Sequence, residues 1–263
     1  MRFVTVSILA LFLALPGFTS AENSVIALCY HTFLGKEKIS TDFSIPEFSN
    51  QMTSIRSLGY KFVTWDDILA DRVEGVSNVL ITIDDGNASV VNADKAVLAP
   101  MGIRPVLFIY PAIITRIWYA MKWQDVSNFV AEGCDLGVHG YNHLYVNQKL
   151  YDSDRASFNR EIYFAKKDFE KHMATNLDLY GYPFGAYSAI TLEHLRKAGY
   201  RYAMTIDHGD IQLPLTNNKN PLLLPRWMVT KGEWHGIYQH LQDRLSPDYL
   251  ANQKAVKKNG RKS

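Results

Sequence analysis

Two adjacent carboxylates stand directly after a short apolar run and could take part in hydrolytic chemistry. Asp84 and Asp85 follow the run Val79–Ile83 and precede Gly86. One of two neighbouring carboxylates can bind a metal ion while the other acts as a general base. An Asp-Gly pair is also common in turns, so this motif taken alone leaves a turn as the alternative.

A pair of histidines follows another apolar run. His139 and His143 come directly after Leu136–Val138. Two histidines four residues apart can point the same way across a helical turn or a tight loop, as zinc ligands do, although two surface histidines would show the same spacing. Together with Asp85 they would supply three protein ligands. Such a set leaves room for water and substrate and is typical of a catalytic zinc site.

The elements that must position these residues are short strands alternating with helices. The predicted strands are Val25–Tyr30, Phe62–Val63, Val79–Ile83, Pro105–Tyr110, Leu136–Val138, Leu179–Tyr182, Tyr202–Ile206 and Trp227–Val229. The predicted helices are 44–59, Trp65–Arg72, Ser89–Leu98, Trp123–Glu132, Ser153–Met173 and Thr191–Ala198. The alternation predicts an α/β fold, a distorted TIM-like (β/α) barrel of about seven strands, with an open doubly wound sheet as the alternative. In a barrel the strand ends meet at one mouth, which would bring the carboxylates and histidines together.

Composition and charge exclude several classes of protein. The chain has 263 residues, of which 47% are hydrophobic and 21% charged, so wholesale disorder is excluded. A net charge of +2 does not indicate a nucleic-acid partner, and two cysteines are too few for a disulfide scaffold. We expect Cys29 and Cys134 to be buried free thiols, because both lie in or beside apolar strands.

Both ends of the chain carry their own signals. A basic start, a short apolar run and a small-residue ending predict a signal peptide over residues 1–21, and therefore export to the periplasm or beyond. A membrane anchor is the alternative, but the apolar run is shorter than a bilayer span and is closed by Pro16. No later segment reads as a membrane span. Residues 22–250 would form one catalytic domain, and the basic segment 251–263 a disordered tail that could hold the protein near an anionic polymer.

These motifs together resemble the polysaccharide deacetylase family of metal-dependent carbohydrate esterases, which shares the homology region of nodulation-type deacetylases. The segment Thr82–Gly86 is similar to the family's Thr-Phe-Asp-Asp-Gly. The segment His139–His143 is similar to His-Ser/Thr-x-x-His, with Gly140 where a hydroxyl is usual, and Tyr182–Gly185 is similar to the end of Arg-x-Pro-Tyr-Gly. The opening segment Leu28–His31 resembles the circularly permuted branch, which includes poly-N-acetylglucosamine deacetylases.

The resemblance implies a role for each matching residue. Asp85, His139 and His143 would hold a divalent metal, Zn²⁺ by expectation. Asp84 would be the general base and His31 the general acid. The backbone N–H of Phe184, next to Pro183, would bind the oxyanion, and Trp227 and Cys29 would wall the pocket for the acetyl methyl group.

One departure from the family pattern concerns the base. The motif arginine that normally contacts it is Gly181 in this chain. Our hypothesis is that Arg226 supplies the positive charge from another strand end, with a surface ion pair as the alternative. Separately, the aromatic-rich loop Ile113–Lys122 could border the substrate.

The expected function is N-deacetylation of N-acetylglucosamine residues in an envelope polysaccharide by an exported monomer. We expect peptidoglycan as the polymer, because bacterial envelopes contain it, with poly-N-acetylglucosamine or chitin oligomers as alternatives. A non-catalytic sugar-binding barrel is the rival from another class, supported only by the missing motif arginine. A phosphatase is disfavoured, because the chain has no glycine-rich phosphate-binding loop.

Overall fold

The computed structural model describes residues 23–36, 38–173, 177–247 and 249. The predicted signal peptide and basic tail lie outside the described residues, so the proposed division of the chain at residues 22 and 250 stays a prediction. Among the helices of the described residues, none is both long and apolar enough to cross a bilayer.

A mixed nine-stranded sheet curves into a half-barrel, as the alternation predicts. The strands are β1 (Asn23–Tyr30), β2 (Lys61–Phe62), β3 (Asn78–Asp85), β4 (Val106–Ile109), β5 (Asp135–Val138), β6 (Leu179–Gly181), β7 (Tyr202–Met204), β8 (Ile211–Leu213) and β9 (Trp227–Met228). Their order is β7-β6-β5-β4-β3-β1-β8, with β2 paired to β3 and β9 to β1. Among the strands of the described residues, only β8 runs antiparallel to its neighbour. Because spatial order follows chain order from β3 to β7, the sheet is wound in one direction and is not doubly wound.

Helices cover the outer face of this sheet. They are α1 (Ile45–Ser57), α2 (Trp65–Leu69), α3 (Ser89–Ala93), α4 (Trp123–Ala131), α5 (Gln148–Ser153), α6 (Arg155–Asn159), α7 (Ala165–Met173), α8 (Ala189–Lys197) and α9 (Trp234–Arg244). Two π-helical segments, Asp94–Leu98 and Arg160–Phe164, follow α3 and α6. At the start of α1 the predicted capping box is present, because Ser44 accepts from the backbone of Glu47 while the Glu47 side chain bonds the N-cap.

Alternate residues of each strand face two separate cores. In β1, Ile26 and Leu28 belong to the large cluster shared with the helices. Val25 and Ala27 belong to a smaller cluster, which contains Phe108 and fills the inside of the barrel. This two-residue period decides which strand residues can reach the barrel interior.

The structure differs from the predicted elements at the start of one helix and in a strand and a helix that were missed. The predicted helix Ser153–Met173 begins two residues later than predicted, at Arg155, because Asp154 has a non-helical backbone and caps α6 by accepting from the Ser157 N–H. Strand β8 and helix α9 were not predicted. Strand β8 pairs antiparallel with β1 and so lies outside the alternation of parallel strands and helices on which the prediction depends, while α9 buries only Ile237, Leu241 and Arg244.

Candidate active site

The ends of four strands bring the predicted catalytic residues together at one mouth of the barrel. Asp84 and Asp85 end β3, while His139 follows β5 directly. His31 follows β1 directly, and one residue, Tyr182, separates β6 from the turn Pro183–Gly185. Asp85 has a left-handed φ of 78° and Gly86 one of 87°, so the Asp-Gly turn and the carboxylate pair coexist at this strand end.

Three of these side chains form a compact triangle of ligand atoms. The Oδ1 atom of Asp85 lies 3.6 Å from Nε2 of His139 and 3.3 Å from Nε2 of His143. The two imidazole Nε2 atoms are 3.2 Å apart. Tetrahedral zinc with bonds of about 2.0–2.1 Å requires ligand atoms roughly 3.3 Å apart. The triangle therefore fits one such ion, and Oδ1 of Asp85 is buried with no hydrogen-bond partner among the described residues, as expected of an atom that binds a metal.

The surroundings of His139 prepare it as a metal ligand. Its Nδ1 donates to the carbonyl oxygen of Gly181 at 2.8 Å, which leaves Nε2 with its lone pair directed at the triangle. Burial lowers the pKa of His139 to about 3, so the imidazole is neutral at physiological pH. Burial also raises the pKa of Asp85 to about 6, a cost that a bound cation would offset.

Asp84 is held by Arg226, which the sequence placed 142 residues away. The guanidinium NH1 donates to Asp84 Oδ1 at 2.7 Å and NH2 to Oδ2 at 2.9 Å, and both residues are buried. Burial alone would raise the pKa of Asp84, but the charge and hydrogen bonds of Arg226, together with the neighbouring His139 and His31, outweigh it and hold the pKa well below its usual range. The carboxylate is therefore ionised, and its Oδ2 lies 3.7 Å from Nε2 of His139.

His31 and Cys29 lie on another side of the same carboxylate. Atoms of His31, Cys29 and Asp84 that could bind a metal lie within 4.8 Å of one another. The Cys29 thiol donates to Asp84 Oδ2 at 3.3 Å. Among the described residues, Nδ1 of His31 is buried and has no hydrogen-bond partner.

Phe184 turns its backbone toward the mouth through a left-handed conformation, with φ of 58°. Within the described part of the chain, its N–H makes no backbone hydrogen bond, whereas those of Gly185 and Ala186 do. Its ring packs against His143 at a centroid distance of 4.4 Å. An N–H group without a backbone partner, beside a candidate metal ligand, is of the kind that can stabilise negative charge on a carbonyl oxygen.

Comparisons with known proteins identify the family. The sequence pattern of the family described as polysaccharide deacetylase matches residues 71–203, about half of the chain. The chain belongs to the polysaccharide deacetylase family.

Individual relatives agree with this assignment. A poly-beta-1,6-N-acetyl-D-glucosamine N-deacetylase of Staphylococcus aureus is 20% identical over 249 residues, covering 85% of this chain and 83% of the relative. IcaB from Ammonifex degensii matches with a TM-score of 0.73 at 24% identity, over 84% of this chain and 97% of its own. The Streptococcus pyogenes deacetylase PplD, solved with acetate, matches with a TM-score of 0.68 at 16% identity, over 84% of this chain and 99% of its own. These structural matches support the TIM-like barrel fold.

Trp227, the predicted pocket wall, packs against residues other than those of the triangle formed by Asp85, His139 and His143. Its ring stacks between those of His208 and His240, at 4.1 and 4.5 Å, and its Nε1 donates to the carbonyl of Gly209. Arg226 points into the barrel, so the next residue along the chain points to the opposite face. The described contacts of Trp227 therefore do not include Asp84 or the metal triangle, and its role as a pocket wall stays a prediction.

Phe108 is a residue near the site that sequence reasoning missed. Its ring lies 4.8 Å from the guanidinium of Arg226. A Cβ added at Gly137 or Gly181 would lie 2.3 or 2.7 Å from a Phe108 ring atom. The two glycines thus make room for this ring inside the barrel, and glycines at neighbouring strand positions were the signal that could have indicated it.

The remaining sequence predictions near the site have direct outcomes. Met121 of the loop Ile113–Lys122 donates to the carbonyl of Gly86, and Tyr119 accepts from Ala88, so the loop borders the segment that follows Asp85. Cys29 and Cys134 are both buried and free, as predicted.

Proposed function

We propose that this chain is a zinc-dependent N-deacetylase that hydrolyses the acetamide of N-acetylglucosamine residues in poly-N-acetylglucosamine and releases acetate. The observation that carries the proposal is the triangle of Asp85, His139 and His143 beside the ion pair of Asp84 and Arg226. A structural zinc site has four protein ligands, whereas this set has three. The free position suits a hydrolytic centre.

The chemistry of amide hydrolysis assigns a task to each neighbouring group. A divalent metal, when bound, polarises the carbonyl and lowers the pKa of water. Asp84 accepts a proton from the attacking water at its carboxylate, and Arg226 keeps that carboxylate ionised and oriented. The Phe184 N–H donates to the developing oxyanion, a contribution of roughly 3–4 kcal/mol for a well-placed donor. His31 protonates the departing sugar nitrogen, because an amine leaves poorly unless protonated.

The choice of polymer rests on the relatives. The relative from Staphylococcus aureus is named for poly-beta-1,6-N-acetyl-D-glucosamine, which favours that polymer over peptidoglycan. Peptidoglycan, the polymer expected from the sequence, stays a prediction that the same experiment tests. Export through residues 1–21, a single catalytic domain over 22–250 and a monomeric state are part of the proposal.

The test is mass spectrometry of both polymers after incubation with zinc-loaded protein. Asp84→Asn removes the base, and Asp94→Asn is the matched control, because Asp94 is also a buried carboxylate but lies on the outer helical layer. We expect acetyl loss from poly-N-acetylglucosamine with the wild type and the control, and a loss of at least about 100-fold with Asp84→Asn.

Other outcomes discriminate between the alternatives. Acetyl loss from peptidoglycan alone would reassign the polymer. Zinc-loaded protein that removes acetyl groups from neither polymer would refute the enzymatic proposal. Protein that binds sugar but no metal would favour the non-catalytic barrel.

A further inference from the structure

The carboxylate of a buried glutamate in a distant helical segment accepts hydrogen bonds from the loop that carries His143. The backbone N–H groups of Tyr141, Asn142 and Leu144 donate to the carboxylate of Glu161 at 3.0, 2.9 and 3.2 Å. Glu161 is fully buried. It has no ion-pair partner among the residues that the structure describes. A buried carboxylate is costly unless hydrogen bonds compensate it, so these three bonds are the reason it is tolerated.

The sequence of the loop is adapted to this carboxylate. Gly140 has a φ of 71°, and a Cβ added there would lie 2.4 Å from Oε2 of Glu161. The family pattern has a serine or threonine at this position, and such a side chain cannot occupy the same space. Glu161 itself lies in the π-helical segment Arg160–Phe164, a geometry that recurs at functional sites.

We infer that Glu161 is a positioning residue for the metal centre. By accepting hydrogen bonds from these three backbone N–H groups, Glu161 fixes the path of the chain between His139 and His143. That path sets the separation of the two Nε2 atoms. The inference concerns metal affinity rather than catalysis, and it stands on this chain's own contacts.

The experiment measures zinc affinity by competition with a chromophoric chelator. Glu161→Gln keeps the side-chain size but turns an amide NH₂ toward backbone donors. Asp94→Asn, the same kind of change in the other π-helical segment, is the control. We expect the affinity of Glu161→Gln to fall about 10- to 100-fold, as for other residues that orient metal ligands, with the control unchanged.

A second readout separates positioning from general stability. Thermal unfolding of the metal-free proteins reports the fold alone, and amide hydrogen exchange at Tyr141, Asn142 and Leu144 reports the loop. If Glu161→Gln lowers the unfolding temperature while its zinc affinity equals that of the wild type, the inference is wrong.

Discussion

Replacing Arg226 tests the link between the buried ion pair and the chemistry of the site. Its guanidinium donates to both oxygens of Asp84, and also to Thr82 Oγ1 and the carbonyl of Thr205. Arg226→Gln removes the charge and leaves Asp84 buried without its counterion. Breaking a buried ion pair by removing one partner costs about 3–5 kcal/mol of unfolding free energy.

The same change should lower turnover. Each hydrogen bond to a charged group contributes about 1.5–3 kcal/mol, and the loss of one such bond in orienting the base corresponds to roughly 10- to 150-fold in rate. Arg226→Lys keeps the charge but not the two-pronged geometry, so we expect an intermediate rate.

The assay combines acetate release with urea unfolding. Arg244→Gln is the matched control, because Arg244 is also fully buried and donates to a carboxylate, that of Asp210. Arg244 lies at the end of α9 and also donates to Ser24 of β1, away from the candidate site. We expect both variants to lose stability and only Arg226→Gln to lose turnover when measured on folded protein. If folded Arg226→Gln retains the wild-type rate, the assignment of Arg226 to the base is refuted.

Three further predictions follow from the packing and the charges. Gly181→Arg, which restores the family's residue, should lower the free energy of unfolding by about 1–3 kcal/mol, because the added Cβ would collide with the ring of Phe108. Adding Phe108→Ala should recover part of this loss, and urea unfolding of both variants measures it. Removing zinc with a chelator should lower the unfolding temperature, since a ligand at 100 times its Kd stabilises by about 2.7 kcal/mol, and His139→Ala should abolish the zinc-dependent shift. Burial raises the pKa of Asp135 to about 6, so the folded state binds this proton more tightly and Asp135 destabilises the protein as pH rises from about 4 to 6. Asp135→Asn should remove this loss, and an unfolding free energy that follows the wild type across that range would contradict the reasoning.

Much of the fold and of the geometry of the candidate metal site could be predicted because the signals are local. The alternation of strands and helices is legible within windows of about ten residues, and Gly59, Gly133 and Gly199 end their helices with left-handed backbones, where glycine is least strained. Asp85, His139 and His143 follow strands directly, so a parallel sheet alone brings them to one edge.

Helix α9, Glu161 and Phe108 escaped prediction for a different reason. The amphipathic pattern of α9 is short, and its fully buried Arg244 is satisfied by Ser24 and Asp210, which are remote in sequence. The sequence pattern around Glu161 is that of an exposed helical residue, and only the fold shows that the loop 140–144 covers it. Phe108 has the appearance of an ordinary core residue until the two glycines opposite it are seen.

The sequence by itself therefore determined which chemical groups stand at the strand ends. Side-chain types and the spacing of residues along one strand or loop do not depend on the rest of the fold. Only the tertiary structure decided which of them act together. Arg226 reaches Asp84 across 142 residues, and Trp227, its neighbour, is turned to the opposite face. The physical reason is that side chains alternate between two faces in any strand, whereas the pairing of β9 with β1 decides which face lies inside the barrel, and pairing is a property of distant segments.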